Sequence, residues 1–186
     1  MIRGNKILHA CCAPCGGGFI KNDPVGTVFF SNSNIFPESE YGKRLAEVRK
    51  MAEKFGMEVI EDDYDHDDWR SFIAGLENEE EGGTRCEKCF AYRLARTAKL
   101  AKEKGLPFMT TLGVSPYKNL ERVNSAGEKA AKEAGVKFIP LAAREKEPAW
   151  NRSLAVSREM KVYRQKYCGC EFSKRNPNGN NSRLTK

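Results

Sequence analysis

Ile7-Leu8-His9-Ala10-Cys11-Cys12-Ala13-Pro14-Cys15 opens on a short apolar run and stops at two adjacent thiols. A bounded run of that length reads as a buried strand, and the pattern recurs downstream. Thr27-Val28-Phe29-Phe30 is β-branched and aromatic and enters the turn-rich Ser31-Asn32-Ser33-Asn34. Met57-Glu58-Val59-Ile60 runs into the acidic Glu61-Asp62-Asp63-Tyr64-Asp65, and Phe108-Met109-Thr110-Thr111 precedes Gly113-Val114-Ser115-Pro116. Val136-Lys137-Phe138-Ile139 is the fifth such run. Between them the apolar spacing turns helical. Residues 39–55 place Leu45, Val48, Met51 and Phe55 on one face before Gly56; residues 84–104 end at Gly105, and residues 121–134 at Gly135. Glycine in those places caps a helix. Strands alternating with helices build a parallel sheet covered on both sides. The expected fold is therefore α/β: three-layer, Rossmann-like, with a mostly parallel sheet of about five strands. Cys11, Asn32, residues 62–65 and Ser115 all follow strands, and ligands in such sheets bind beyond the strands' carboxyl ends. A cysteine-rich metal site is expected at that edge.

The chain has 186 residues, 40% hydrophobic and 31% charged, a globular composition. Residues 1–172 read as one domain, and the Asn-rich basic stretch 173–186 as a disordered tail. No apolar run approaches the roughly 20 residues needed to cross a bilayer, and no signal peptide is recognisable at the start. A cytoplasmic protein without membrane contact is expected. The net charge of +7 hides an asymmetry: residues 1–80 hold 9 basic and 15 acidic side chains, residues 81–186 hold 23 and 10. Excess lysine and arginine displace counterions from phosphates, so the second part points to a polyanionic partner.

Seven cysteines in a reducing compartment suit metal or redox chemistry better than a disulfide framework. They fall into three groups: Cys11, Cys12 and Cys15; Cys86 and Cys89; Cys168 and Cys170. A lone cysteine is ordinarily a small inert hydrophobe, which does not explain such grouping. Cys86 and Cys89 share one face at a helix start, where the helix dipole favours thiolates. Arg93 lies on the same face, able to offset thiolate charge or hold a phosphate. One Cys-x-x-Cys knuckle falls short of a zinc ribbon; an iron–sulfur cluster fits the vicinal pair better. Cys168-Gly169-Cys170 suits either a strained, labile disulfide or a second metal, with Cys15 as a possible third ligand.

His9, in a strand, reads as a satisfied core histidine, and His66 as solvated. The acidic run 62–68 lacks calcium-loop spacing and reads as a helix cap with solvated charge. Gly16-Gly17-Gly18 follows a strand but matches no phosphate-loop pattern. Tyr117 and Lys118 stand at the ligand edge. Tyr163-Arg164-Gln165-Lys166-Tyr167 mixes aromatic and basic groups, as either base stacking with phosphate contact or a half-buried helix face would use.

Taken together, these residues resemble the QueH family of epoxyqueuosine reductases. The motifs are residues 9–15, Asn34-Ile35-Phe36-Pro37, Gly82-Gly83-Thr84-Arg85-Cys86-Glu87-Lys88-Cys89, residues 110–119, Arg152-Ser153 and residues 163–170. The resemblance implies reduction of epoxyqueuosine to queuosine at the wobble position of tRNA. It implies a [4Fe–4S] cluster on Cys11, Cys12, Cys86 and Cys89. Cys168 and Cys170 would be a redox-active disulfide pair or ligands of a second metal, such as iron, with Cys15. Tyr117, His9 or residues 62–65 would donate protons, Lys118, Arg164 and Lys166 would contact tRNA, and an external donor would supply electrons. A tRNA sulfur-transfer enzyme is the alternative within enzymes, though Cys-Cys-Ala-Pro-Cys stands where its ATP loop would be. A non-catalytic, zinc-stabilised RNA-binding module is the alternative outside them.

Overall fold

Consecutive strand residues face opposite sides of a sheet, and Ile7, Leu8 and His9 are all fully buried, so both sides of the first strand are covered. The computed structural model describes residues 4–20 and 25–173. The elements run β1 (Gly4–His9), α1 (Ala13–Ile20), β2 (Val25–Phe30), α2 (Glu38–Phe55), β3 (Glu58–Glu61), α3 (His66–Phe72), α4 (Thr84–Lys104), β4 (Phe108–Thr110), α5 (Leu120–Ala134) and α6 (Ala143–Glu159). The strands form one parallel sheet in the order β3-β2-β1-β4. The helices pack chiefly in two groups, α1 with α2 and α6, and α4 with α3 and α5. Gly56, Gly105 and Gly135 close α2, α4 and α5 in the left-handed conformation, as their positions foretold.

The sheet has four strands, not about five. Residues 136–139 make a single bridge, Phe108 to Phe138, held by Phe108 N–H on Lys137 O and Ile139 N–H on Phe108 O. β4 is only three residues long, and Pro140, which has no N–H, follows at once, so the ladder cannot extend.

Gly16-Gly17-Gly18 is no loop; it lies inside α1, against α6. A Cβ on Gly18 would stand 2.4 Å from Ala149 O and one on Gly17 2.7 Å from a Val156 methyl. The triplet is therefore a close helix–helix seam, and Ser153 Oγ fastens it by accepting from Gly18 N–H and donating to Cys15 O. The sequence pattern did not reveal α6, because the residues it buries, Ala149, Ser153, Val156 and Ser157, are mostly small or polar. Residues 174–186, expected as a tail, lie outside the described residues.

Candidate metal centre at the carboxyl edge of the sheet

β1 has β2 on one side and β4 on the other, so the strand order reverses beside its carboxyl end, where open α/β sheets leave a crevice. Hydrogen bonds shape this place tightly. Cys11 N–H donates to Thr111 Oγ1 at 3.0 Å, Thr111 N–H to His9 O at 3.0 Å, and Asn32 Nδ2 to Ala10 O at 2.9 Å. His9 is wholly buried, one ring nitrogen on Thr110 Oγ1 at 2.8 Å and the other on Ser31 O at 3.1 Å. Burial, reinforced by Arg93, pushes its pKa down to about 3, so the ring is neutral near pH 7. It is the satisfied core histidine expected, and both nitrogens are engaged, which leaves it poorly suited to donate a proton.

Into this crevice the turn after β1 delivers Cys11 and Cys12, and the first turn of α1 delivers Cys15. Cys11, Cys12 and Cys15 are buried, and their Sγ atoms all lie within 4.8 Å of one another. Hydrogen bonds from the Cys12 and Cys15 thiols hold Cys11 well below its ordinary pKa despite burial, with Lys118 and Arg93 adding positive charge nearby. The hydrogen bond with Cys11 pushes Cys12 up to about 12, and Cys15 is raised for the same reason. Donors from elsewhere also reach the sulfurs: Thr111 Oγ1 to Cys11 Sγ at 3.2 Å and Gln165 Nε2 to Cys12 Sγ at 3.0 Å.

Cys86 and Cys89 stand in the first turns of α4, with Gly82 N–H donating to Cys86 Sγ at 3.1 Å. The dipole argument predicts lowered pKa values there; burial wins instead, raising Cys86 and pushing Cys89 up to about 12 against the pull of Arg93. Cys168 lies within electrostatic reach of Cys86, Cys89 and Cys170, and Lys118 within reach of Cys168, Cys11 and Cys15. Burial opposes the Lys118 charge, but attraction to the negative charge of neighbouring cysteine sulfurs outweighs it, and its pKa stands above the usual lysine range. Lys118 thus stands near Cys11 and Cys15, near Cys168, and in one cavity lining with Cys86, while the thiols within ligand distance of one another among the described residues are Cys11, Cys12 and Cys15. All seven thiols are free.

A strap over residues 163–170 joins the groups. Tyr163 Oη donates to Glu40, Gln165 reaches Cys12, and Tyr167 Oη donates to Phe36 O at 2.7 Å. Arg44, buried on α2 and paired with Glu40 at 2.8 Å, donates to Cys168 O at 2.8 Å and Tyr167 O at 3.2 Å. Gly169 sits at φ +133°, and a Cβ there would be 3.0 Å from Arg44 Nη1 and Ile35. The position of the Cys-Gly-Cys turn is thus dictated by α2 and by the loop before it.

The QueH family, described as epoxyqueuosine reductase QueH, matches residues 7–176. The chain belongs to the QueH family. A relative from Acinetobacter baylyi named epoxyqueuosine reductase QueH is 38% identical over 178 residues, covering 92% of this chain and 81% of that protein. One of the same name from Thermotoga maritima is 37% identical over 174 residues, 91% and 90% of the two chains. Another from Haemophilus influenzae is 36% identical over 180 residues, 94% and 74%. Membership makes the chain an oxidoreductase by family.

The remaining residues singled out in this QueH-family sequence divide sharply. Tyr117 is 73% exposed and, with Lys118, Cys86, Phe90 and Arg122, lines a small cavity. Arg164 and Lys166 are exposed on the strap. Tyr163 Oη, Gln165 Nε2 and Tyr167 Oη, on the residues beside them, are used internally, so the strap is a fastening more than a stacking platform. Arg93 spends Nε on Ser31 O and Nη2 on Asn32 Oδ1, which fits charge offset beside the thiols and not phosphate binding. His66 is not solvated: it bonds Ser33 O at 2.8 Å and Glu171 at 3.3 Å and stacks between Phe36 and Trp69. Within the acidic run, Asp65 caps α3 as expected, while Asp62 accepts from Ser31 Oγ at 2.6 Å and pairs with Arg96, commitments that argue against proton donation. Thr111, Gln165, Arg44 and Glu40 had no roles assigned from sequence. Only the i, i+4 spacing of Glu40 and Arg44 hinted at a pair.

Proposed function

We propose that this protein reductively removes the epoxide oxygen of epoxyqueuosine at the wobble position of tRNA, giving queuosine. The observation that carries it is the buried set of three thiols at the sheet's switch point, with hydroxyl and amide donors aimed at two of the sulfurs, in a chain whose relatives are named for this reductase. Buried soft donors with hydrogen bonds to sulfur fit a thiolate-bound iron group. Cys11, Cys12, Cys86 and Cys89 would hold a [4Fe–4S] cluster. Such a cluster supplies low-potential electrons one at a time.

The reaction needs two electrons and two protons: both carbon–oxygen bonds of the epoxide break, an alkene forms and the oxygen leaves as water. An external electron donor provides the reducing equivalents. Cys168 and Cys170 serve as a second redox pair or, with Cys15, hold a second metal. Lys118 places positive charge among the thiols, and exposed Tyr117 beside it is the proton donor of choice. Arg164 and Lys166 contact tRNA phosphates, with the modified base presented from a single-stranded loop. One domain over residues 1–172, in a three-layer Rossmann-like arrangement, carries all of this in the cytoplasm. Its two helix groups cover opposite faces of the sheet.

The tight Cys11, Cys12, Cys15 set favours a second assignment in which Cys15 replaces Cys86 as a cluster ligand. Cysteine variants decide between them. After anaerobic reconstitution, Cys86→Ala loses iron and sulfide, whereas Cys15→Ala and Cys168→Ala retain both and Cys168→Ala loses turnover. Intact iron in Cys86→Ala with loss in Cys15→Ala would establish the second assignment. Stoichiometric zinc without sulfide in the native chain would contradict both.

A further inference from the structure

Thr111 Oγ1 accepts from Cys11 N–H, so its single proton is left for Cys11 Sγ, 3.2 Å away. Gln165 is held differently. Its Nε2 reaches Cys12 Sγ at 3.0 Å, while its Oε1 is buried with no hydrogen-bond partner among the described residues. A glutamine serving only to fasten the strap would engage both ends of its amide; here the side-chain bond among the described residues goes to sulfur. Once Cys12 is a thiolate, only the orientation with N–H toward sulfur is attractive, because the carbonyl end would repel it. The vicinal thiols therefore receive one outer hydrogen bond each, from different segments of the chain: Thr111 just beyond β4, Gln165 on the strap.

We propose that Gln165, with Thr111 as its counterpart, sets the reduction potential of the group held by Cys11 and Cys12. Hydrogen bonds to cluster sulfurs stabilise the more negative, reduced state and raise the potential. Gln165 acts through Cys12, so it is a positioning residue. Its place on the strap makes the electron affinity of the centre depend on how residues 163–170 sit, and the same strap carries Cys168 and Cys170. The inference rests on the thiolate-bound cluster proposed above.

The test is the midpoint potential of the reconstituted cluster, followed by visible absorption and electron paramagnetic resonance, without tRNA. Gln165→Leu removes the donor and is expected to lower the reduced-to-oxidised ratio at a fixed potential about tenfold, which is about 59 mV for a one-electron couple. Gln165→Glu replaces the donor with negative charge and shifts further in the same direction. Thr111→Val moves the same way, and Thr111→Ser, which keeps the hydroxyl, restores the native value. An unchanged or raised potential in a fully loaded Gln165→Leu protein overturns the inference and leaves the reductase reading standing. Loss of the cluster in both Gln165 variants overturns it too, by making the residue one of assembly. A native chain that takes up no iron and sulfide removes the cluster reading itself, and this inference with it.

Discussion

Arg44 shows how one buried side chain can decide where the Cys168-Gly169-Cys170 turn sits. Its guanidinium neutralises Glu40 and grips two consecutive carbonyls, Tyr167 O and Cys168 O. Arg44→Met would leave Glu40 charged and buried without its partner, a loss of about 3–5 kcal/mol, read as a lower urea midpoint at unchanged slope. A loss under about 1 kcal/mol would show the pair to be dispensable. Gly169→Ala is the subtler change. The left-handed backbone costs a side chain about 1–3 kcal/mol, and the added methyl meets Arg44 and Ile35. The fold is expected to survive while turnover collapses through a displaced Cys168. At this scale the sequence shows which thiols gather, because Cys11, Cys12 and Cys15, grouped in the chain, are also grouped in space. It hides what holds them. Arg44 and Glu40 look like ordinary charges on an amphipathic helix, and nothing local marks Gln165, 153 positions from Cys12, as the donor to its sulfur.

Among the elements, legibility follows the strength of the apolar pattern. The helices over 38–55, 84–104 and 120–134 were evident, the first from large apolar residues at helical spacing and all three from their closing glycines. α6 and the glycine-bearing α1 were not, since close helix contact selects small residues, which carry almost no periodic signal. The supposed fifth strand failed for the opposite reason: a good local strand pattern had only one residue of β4 to pair with. Gly18 tests the seam. With a Cβ 2.4 Å from Ala149 O and 2.9 Å from Ser153 N, Gly18→Ala must push α6 away. Overpacking of this kind costs about 1–3 kcal/mol. Because Ser153 Oγ accepts from Gly18 N–H and donates to Cys15 O, the same change is expected to weaken both bonds, read as a urea midpoint below that of the native protein. Native stability in Gly18→Ala would show the two helices to be loosely joined.

For the whole molecule, two consequences follow from charge. Burial or thiol hydrogen bonding raises Cys12, Cys15, Cys86 and Cys89, so these thiols hold their protons at neutral pH and metal must displace them. Each proton released tightens binding about tenfold per pH unit. Cobalt(II) titrated into the metal-free protein should therefore bind far more tightly at pH 8 than at pH 6.5, with acid released; a flat profile would mean the thiols are already ionised. The excess of basic side chains in residues 81–186 predicts salt-sensitive tRNA binding. Arg164→Ala should lower the slope of log affinity against log salt by about 0.7–0.9, the value of one phosphate contact. An unchanged slope would remove Arg164 from the interface. No helix among the described residues is long and apolar enough to cross a membrane.

The reaction itself offers the most direct measurement. The anaerobically reconstituted protein, chemically reduced, is incubated with tRNA carrying epoxyqueuosine, and the nucleosides are then released and weighed by mass spectrometry. Conversion to a nucleoside lighter by one oxygen, at the mass of queuosine, is the predicted result, absent in Cys168→Ala. Persistence of the epoxide while the cluster is loaded and reduced would contradict it.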